Sequence, residues 1–230
     1  KQPPLADRIR PRNLDHFVGQ DHLVGQGKIL RKVIEEEYPI SLIFWGPPGT
    51  GKTTLARIIA NETKAVFFAI SAVTAGVKDV RKVIDQAGIN QRGLGKRSIL
   101  FIDEIHRFNK AQQDALLHSV EDGTLILIGA TTENPSFEVI PPLLSRCRVL
   151  KLNMLSSEDI GRIIDHALSE DEVLKQSHIE LPEPVKKHLI RLSNGDARIA
   201  LNALELCNQL IPEAKGKKEV TVETISEAMQ

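Results

Sequence analysis

The first 153 residues alternate short, β-branched apolar runs with stretches of helical periodicity. This alternation is typical of a parallel sheet covered by helices. Several of the runs are apolar throughout, as expected for strands that are buried on both faces. We predict strands at Ile40–Trp45, Val66–Ser71, Ser98–Asp103, Leu125–Ala130 and Val149–Leu152. We predict helices over Thr53–Glu62, Val77–Ala87, Ala111–Val120 and, briefly, Pro142–Ser145.

The pattern changes after Asn153, where the β-branched runs stop and helical periodicity continues. Helices are predicted over Ser157–Leu168, Glu183–Leu192, Ala197–Leu210 and Val222–Met229. In the third of these helices, the stripe expected to face a small bundle consists of Ile199, Ala203, Leu206, Cys207 and Leu210. The Gly- and Lys-rich segment 214–218 is predicted to be a loop. We therefore predict an α/β core over residues 1–153 and a small all-helical domain over residues 154–230.

The composition is that of an ordinary globular protein, with 41% hydrophobic and 26% charged residues. No apolar run approaches the roughly 20 residues that span a bilayer, so we expect no membrane partner. Two cysteines are too few for a disulfide framework, which predicts a reduced, intracellular protein. The net charge of zero conceals an asymmetry, since residues 1–153 carry 21 Lys and Arg against 16 Asp and Glu, and residues 154–230 carry 9 against 14. A polyanion-binding surface and a random scatter of solvated charges both fit this asymmetry.

One segment matches the phosphate-binding motif GxxxxGK[ST] in full and lies between a predicted strand and a predicted helix. Glycines let the backbone curl so that successive N–H groups face an anion, and the helix N-terminus adds positive potential. Lys52 is then expected to reach the β- and γ-phosphates of ATP, and the Thr53 hydroxyl to bind Mg²⁺. The expected nucleotide-binding residues are Gly46, Pro47, Pro48, Gly49, Thr50, Gly51, Lys52, Thr53 and Thr54.

Two adjacent acids, Asp103 and Glu104, end the apolar run that begins at Ser98. Side chains alternate along a strand, so the two carboxylates are expected to have different roles. We expect Asp103 to hold the magnesium ion and Glu104 to act as general base toward the attacking water. An acidic pair after a strand is usually a solvated turn, but the phosphate loop about 50 residues upstream favours the catalytic interpretation. His106 follows the pair by two residues, and no H-x₃-H or Cys–His spacing accompanies it, so a zinc site is not expected there.

Longer motifs join these residues: DEIHRFNK at 103–110, GATTENPSF at 129–137 and LSRCR at 144–148. With the phosphate loop, they resemble the AAA+ core of the replication-associated recombination protein A family, which includes the eukaryotic Werner helicase-interacting protein. The resemblance covers nearly the whole chain. It implies a P-loop core with a five-stranded parallel sheet, followed by a helical lid. It also implies a DNA-dependent, Mg²⁺-dependent ATPase of replication-fork maintenance, recombination and repair, related to clamp loaders and to the Holliday-junction branch-migration motor.

The same resemblance implies partners. They are the backbone of single-stranded, gapped or forked DNA, other replication or repair proteins, and further copies of the chain in a homo-oligomer. Family members carry a C-terminal region for tetramerisation that is absent from this sequence, and the first residue is Lys1 rather than methionine. We therefore expect a fragment of a longer protein. A bacterial cytoplasmic location is favoured over a eukaryotic nucleus.

Three further roles follow from matching positions. Thr132 resembles the first sensor, a polar group near the γ-phosphate, and Asn134 is its rival. Arg146 resembles the arginine finger that clamp-loader relatives insert into the next subunit's site, with Arg148 as the alternative. Arg198 resembles the second sensor, which reaches the nucleotide from the lid. Each also has an ordinary interpretation: Thr132 as a β-former running into a turn, and the arginines as solvated surface residues.

Two further segments carry less specific expectations. The family's N-terminal segment packs against adenine, which makes Val18 and Gly19 candidates for that contact, although ordinary packing explains them equally well. Lys78, Arg81 and Lys82 place three cations at a helix start, where clamp-loader relatives touch DNA phosphates. Ordinary solvated cations would give the same pattern.

A second functional hypothesis is an ATP-gated protein remodeller or adaptor that does not act on DNA directly. DNA-stimulated ATPase activity would separate it from the first. A nucleotide-dead structural subunit is disfavoured because Lys52 and Glu104 are both intact.

Overall fold

The computed structural model describes residues 2–212 and 218–229. These residues form two compact units: residues 12–153 form one, and residues 2–11 together with those after 153 form the other. The predicted loop at 214–218 lies outside the described residues except for Lys218. The first unit resembles the predicted core, but the structure assigns residues 2–11 to the helical unit, which differs from the expected boundary.

The helices lie close to the predicted ones where a prediction was made. In chain order they are α1 Leu5–Arg8, α2 Asp21–Val24, α3 Ile29–Glu35, α4 Lys52–Glu62, α5 Val77–Leu94, α6 Lys110–Glu121, α7 Pro135–Glu138, α8 Pro141–Leu144, α9 Ser157–Glu170, α10 Glu172–Gln176, α11 Glu183–Ser193, α12 Ala197–Leu210 and α13 Val222–Ala228. A 3₁₀ turn at Ile105–Arg107 follows the acidic pair. Helix α5 continues seven residues beyond its predicted end, to Leu94. It stops there because Gly95 adopts a left-handed conformation, with φ of 62°.

A parallel five-stranded sheet forms the centre of the first unit, as predicted. Its strands are β1 Leu42–Trp45, β2 Val66–Ser71, β3 Ser98–Asp103, β4 Ile126–Thr131 and β5 Arg148–Lys151. Their spatial order is β2-β3-β4-β1-β5. A short parallel pair, β6 Ile179–Glu180 and β7 Lys218–Glu219, lies in the helical unit and was not predicted.

Alternate residues of the central strands enter two different hydrophobic clusters. In β1, Leu42 and Phe44 join helices α3 and α4 in one cluster, while Ile43 joins α5 and α6 in the other. All three side chains are fully buried. Helices therefore cover both faces of the sheet, which explains why these strands are apolar throughout.

The helical unit has its own core, and the N-terminal segment is part of it. Leu5 of α1 is fully buried together with Ile160, Leu189 and Leu204. Its backbone N–H donates to both carboxylate oxygens of Glu205, each at 3.1 Å. These contacts explain why residues 2–11 belong to this unit, since a helix of four residues has little stability without tertiary packing.

Helix α12 of this unit buries only part of the predicted stripe. Ala203 and Cys207 of that stripe are buried, but Ile199, Leu206 and Leu210 are each about two-fifths exposed. Ala200 and Leu204 occupy the buried face instead. The helix contacts α1, α9, α11 and α13, so its buried face is wider than a single narrow stripe.

Candidate functional site

The carboxyl ends of β1, β3 and β4 meet at one edge of the sheet, because all three strands are parallel and β4 lies between the other two. The backbone joins them there. The N–H of Gly46, directly after β1, donates to the carbonyl of Thr131 at the end of β4, at 3.1 Å. In α/β sheets this edge is the usual place for ligand binding. It brings the phosphate-loop motif to the same edge as the acidic pair.

The phosphate-loop segment is shaped by two glycines with close neighbours. A Cβ atom on Gly46 would clash with the backbone carbonyl oxygen of Leu152. A Cβ atom on Gly51 would lie 2.7 Å from the ring of Phe17, and Gly51 has a φ of +101° that side-chain-bearing residues rarely adopt. The backbone therefore takes a path that side chains would not allow, as a cradle for an anion requires.

Lys52 is 8% exposed and begins α4. Its ammonium donates to two carbonyls of the loop that it follows, those of Gly46 and Pro47, each at 2.7 Å. The Thr50 hydroxyl donates to the Pro47 carbonyl as well, at 2.9 Å. The lysine ammonium is thus held inside the loop, where anionic phosphate oxygens would be stronger acceptors than neutral carbonyls.

Thr53 and Thr54 occupy the first turn of α4, and both are half-buried. Pro48, by contrast, is exposed, and Gly49 adopts a left-handed conformation with φ of +66°. The N-terminus of α4 carries the positive end of the helix dipole. Together with Lys52, it gives the loop the electrostatic character of an anion site.

Asp103 is the last residue of β3 and is half-buried. Glu104, which follows it, has left-handed backbone angles, φ 55° and ψ 47°, and precedes the 3₁₀ turn. This conformation costs a residue other than glycine on the order of 1 kcal/mol or more, and such strain is concentrated at functional sites. The Glu104 carboxylate lies 3.2 Å from Nδ1 of His106.

The segment after β4 holds the two sensor candidates in different surroundings. Thr132 is exposed, directly after the fully buried Thr131. Asn134 is half-buried, and its side-chain oxygen accepts from the N–H of Ser136 to cap α7, at 3.0 Å. An amide oxygen has two acceptor sites and the amide nitrogen can still donate, so the choice between Thr132 and Asn134 stays a prediction.

Arg146 lies on the surface just after α8. Its guanidinium donates to the Pro142 carbonyl at 2.6 Å and forms an ion pair with Glu121 at the end of α6. Its rival Arg148 is the first residue of β5 and is also exposed. Both arginines are therefore on the surface of the first unit.

Arg198 belongs to the helical unit, in the first turn of α12. Its backbone N–H donates to the capping carboxylate of Asp196 at 2.8 Å, and its side chain is exposed. Its expected role as second sensor remains a prediction, as do the roles of the other candidate side chains.

Val18 and Gly19 precede a residue whose function the sequence did not predict. Gly19 is buried with φ of 81°, Val18 is half-buried, and Gln20 is buried. The Gln20 amide donates to the Asn153 carbonyl at 2.7 Å and to the Thr50 carbonyl at 3.4 Å, and its oxygen accepts from the Asn153 N–H at 2.8 Å. Gln20 thus hydrogen-bonds both to the phosphate loop and to Asn153, the last residue of the first unit. Neither periodicity nor spacing marks a glutamine for this role.

The cations proposed for DNA lie at the start of α5, and Lys78, Arg81 and Lys82 are all exposed. The helix begins after Gly76, whose N–H donates to Asp79 at 2.8 Å. The three side chains are placed where a long anion could reach them, although Asp79 adds a negative charge to the same turns.

Within residues 2–212 and 218–229, no group of three or more His, Cys, Asp or Glu side chains could hold a metal ion. A magnesium ion needs fewer protein ligands, since it keeps several waters and takes oxygens from phosphates. None of the helices in the described part of the chain is long and apolar enough to cross a membrane.

Comparison with known proteins finds similarity over nearly the whole chain. The model of the ATPase family associated with various cellular activities (AAA) matches residues 42–153, and that of the AAA C-terminal domain matches residues 175–230. Replication-associated recombination protein A of Haemophilus influenzae is 48% identical, over 98% of this chain and 51% of its own length. ATPase WRNIP1 of Dictyostelium discoideum is 44% identical, over 94% of this chain and 24% of its own.

Among solved structures, the RuvB Holliday junction branch migration motor of Thermotoga maritima superposes with a TM-score of 0.73 at 27% sequence identity. The match covers 96% of this chain and 72% of that protein. The chain spans about half the length of the bacterial curated relatives that it matches.

Proposed function

We propose that this chain, which belongs to the AAA family of ATPases, is the ATP-hydrolysing core of a DNA-dependent assembly. The assembly would act in replication-associated recombination and repair. One observation carries the proposal. The buried ammonium of Lys52 lies inside a glycine-shaped loop, and strand order brings that loop to the same sheet edge as Asp103 and Glu104. A cation, a helix N-terminus and two carboxylates at one edge are what phosphoryl transfer to water requires.

Nucleotide binding would replace the present partners of Lys52. The β- and γ-phosphates would take over the hydrogen bonds that the Gly46 and Pro47 carbonyls now accept, and loop N–H groups would cradle the phosphates. Val18 and Gly19 remain the candidates for contact with adenine, and Arg198 remains the candidate for the second-sensor role.

The residues present fit a magnesium ion. Thr53 and Asp103 would hold it through a hydroxyl and a carboxylate oxygen, and oxygen ligands are those that Mg²⁺ prefers. When bound, the ion would neutralise charge on the β- and γ-phosphates.

Hydrolysis needs a base, and Glu104 is the proposed one. Its carboxylate would accept a proton from a water whose oxygen forms a bond to the γ-phosphorus, while the bond to the bridging oxygen breaks and ADP leaves. Thr132 would orient this water. The left-handed backbone of Glu104 supports the assignment, because strained backbone conformations of this kind are concentrated at functional sites.

Arg146 is the proposed arginine finger, acting on the site of a neighbouring copy in a homo-oligomer. Its exposed position after α8 supports this role. An arginine that stabilises transition-state charge in trans is worth about 10³- to 10⁵-fold in rate. Assembly and activity are then linked.

DNA is the proposed partner because the similar proteins are named for recombination and Holliday junction branch migration. The exposed cations Lys78, Arg81 and Lys82 would contact its backbone, so binding should depend strongly on salt and little on base sequence. The intracellular, bacterial location expected from the sequence also stays a prediction.

The test is the ATPase rate of the full-length protein without DNA and with duplex, single-stranded and forked DNA. We expect at least one DNA to raise the rate, and Lys52→Ala to abolish it under all conditions. An ATPase rate that no DNA changes would contradict the DNA-dependent function and favour the protein remodeller. The matched control is Lys64→Ala, which removes an exposed lysine whose contact is with Glu37, also exposed.

A further inference from the structure

A histidine that sequence reasoning set aside connects two parts of the site. Nδ1 of His106 lies 3.2 Å from a carboxylate oxygen of Glu104 and 3.0 Å from the hydroxyl oxygen of Thr131. We propose that His106 is a positioning residue, which orients the Glu104 carboxylate by tying it to the end of β4. The inference rests on the proposed role of Glu104 as general base.

The protons available to these groups limit how they can interact. An ionised carboxylate only accepts, so Nδ1 must carry the proton if it bonds to Glu104. The Thr131 hydroxyl oxygen accepts from the Glu133 N–H at 2.9 Å, and its own proton has an acceptor in the Glu133 carbonyl at 3.3 Å. The Nδ1–H of His106 can therefore donate to the Thr131 hydroxyl, while the Glu104 carboxylate lies 3.2 Å from the same nitrogen.

The backbone holds His106 firmly enough for such a role. It is the middle residue of the 3₁₀ turn, which the N–H of Arg107 closes by donating to the Glu104 carbonyl at 2.8 Å. Ile105 in this turn is fully buried and packs so closely on β4 that a Cβ atom on Gly129 would lie 2.9 Å from its Cδ1. The imidazole is itself largely buried, with 15% of its side chain exposed.

The other end of the connection is equally fixed. Thr131 is fully buried and is the last residue of β4, directly before Thr132. The chain of contacts Glu104–His106–Thr131–Glu133 therefore joins the proposed base to the turn that carries the proposed sensor. A base that is fixed in this way needs no reorganisation when water arrives, and displacement of a reacting group by about 1 Å can cost up to about 100-fold in rate.

The experiment measures kcat, KM for ATP and equilibrium ATP affinity of full-length variants. We expect His106→Phe to lower kcat by about 10- to 100-fold while ATP affinity stays within about twofold, because the base loses its orientation and the phosphate loop is untouched. His106→Asn places an amide N–H near the position of Nδ1 and should recover most of kcat. His118→Phe is the matched control, since that imidazole is 88% exposed and contacts only Asp122 among the ion pairs of the described residues. It should leave kcat unchanged.

A double-mutant cycle with Glu104→Gln separates positioning from general destabilisation. If His106 acts through Glu104, His106→Phe should have no further effect on the residual rate of Glu104→Gln. Thermal unfolding of each variant shows whether it is folded. If His106→Phe folds poorly, kcat of His106→Asn is compared with kcat of His106→Ala instead.

The inference is overturned if His106→Asn is as slow as His106→Phe while both are folded, if His106→Phe turns over like the parent, or if it lowers the rate of Glu104→Gln by the same factor as that of the parent. A separate result, normal turnover of Glu104→Gln itself, would instead refute the proposed function of Glu104. The two failures are thus distinguishable.

Discussion

Arg146 forms an ion pair with Glu121 of the same subunit. Its guanidinium also donates to the Pro142 carbonyl at 2.6 Å and to the Ser145 hydroxyl at 3.1 Å, so contacts within its own subunit must be given up before the arginine could reach a neighbouring copy. The two partners are each more than one-third exposed. An ion pair of this kind contributes at most about 1 kcal/mol, so its exchange for a phosphate is energetically feasible.

Arg146→Ala should lower ATP hydrolysis by the assembled full-length protein by about 10³-fold or more, with ATP affinity of the isolated subunit retained. Glu121→Gln should leave turnover intact or raise it by up to about fivefold, because it removes one of the contacts that hold the arginine within its own subunit. Arg148→Ala is the control for the neighbouring arginine. Mixing Arg146→Ala with Lys52→Ala subunits should restore part of the activity, and no recovery despite demonstrated mixing would exclude action across an interface.

Lys52→Ala should weaken ATP binding by about 10- to 100-fold or more, because each charge-assisted hydrogen bond to a phosphate contributes about 1.5–3 kcal/mol. Calorimetric titration of ATP measures the affinity, with Lys64→Ala as the control. If the variant binds ATP as tightly as the parent, Lys52 of the parent does not contact the phosphates. It then keeps its hydrogen bonds to the loop carbonyls when ATP is bound.

Glu104→Gln should keep ATP affinity but reduce turnover by orders of magnitude, since an amide cannot accept the proton of the attacking water. The ATP-loaded state should then accumulate, which a filter-binding assay with labelled nucleotide detects. Asp103→Asn is the matched comparison: it should also lower the magnesium dependence of binding, whereas Glu104→Gln should not.

The triple substitution of Lys78, Arg81 and Lys82 by alanine should weaken DNA binding and reduce the slope of log affinity against log salt. Each lost phosphate contact removes about 0.9 from this slope for duplex DNA. Fluorescence anisotropy at several salt concentrations gives both quantities. A slope equal to that of the parent would place the DNA surface elsewhere on the protein.

Asp171 links the stability of the helical unit to pH. Burial disfavours its charged form, but hydrogen bonds from the Arg8 guanidinium and the Leu174 N–H outweigh this effect, so the pKa of the carboxyl is below its usual value of 3.8. A lowered pKa means that the stabilisation is complete above that usual value and is lost as the pH falls through the folded-state pKa. Asp171→Asn should lower the free energy of unfolding by about 1–3 kcal/mol at neutral pH, because Arg8 loses one of its two carboxylate partners and keeps Glu205.

Asp165→Asn is the matched control for Asp171→Asn, because the Asp165 carboxylate is 60% exposed in its ion pair with Lys186. It should change the free energy of unfolding by less than about 1 kcal/mol. Urea unfolding at neutral pH and near pH 3 measures both variants. Equal effects of the two substitutions would show that the buried pair with Arg8 contributes no more to the free energy of unfolding than the exposed pair does.

The parts of the fold that depend on local pattern were predictable. The bounds of β2 and β3 match the structure because apolar runs and flanking turns define them, and the phosphate-loop motif carries its own geometry. The buried face of α12 was predicted only in part, because several helices pack around it and a single-stripe pattern does not represent this. Gln20 was missed because its role depends on Asn153, at a sequence separation of 133.

The helical unit combines residues from opposite ends of the described chain, and this has a consequence for folding during synthesis. The backbone of Leu5 and the carboxylate of Glu205, which it contacts, are 200 positions apart. At about 5–20 residues per second, a ribosome needs about 10–40 s to reach Glu205 after it has added Leu5. Residues 12–153 are complete well before then, so they can fold while the N-terminal segment, with its apolar Leu5, still lacks its partners and is open to chaperones.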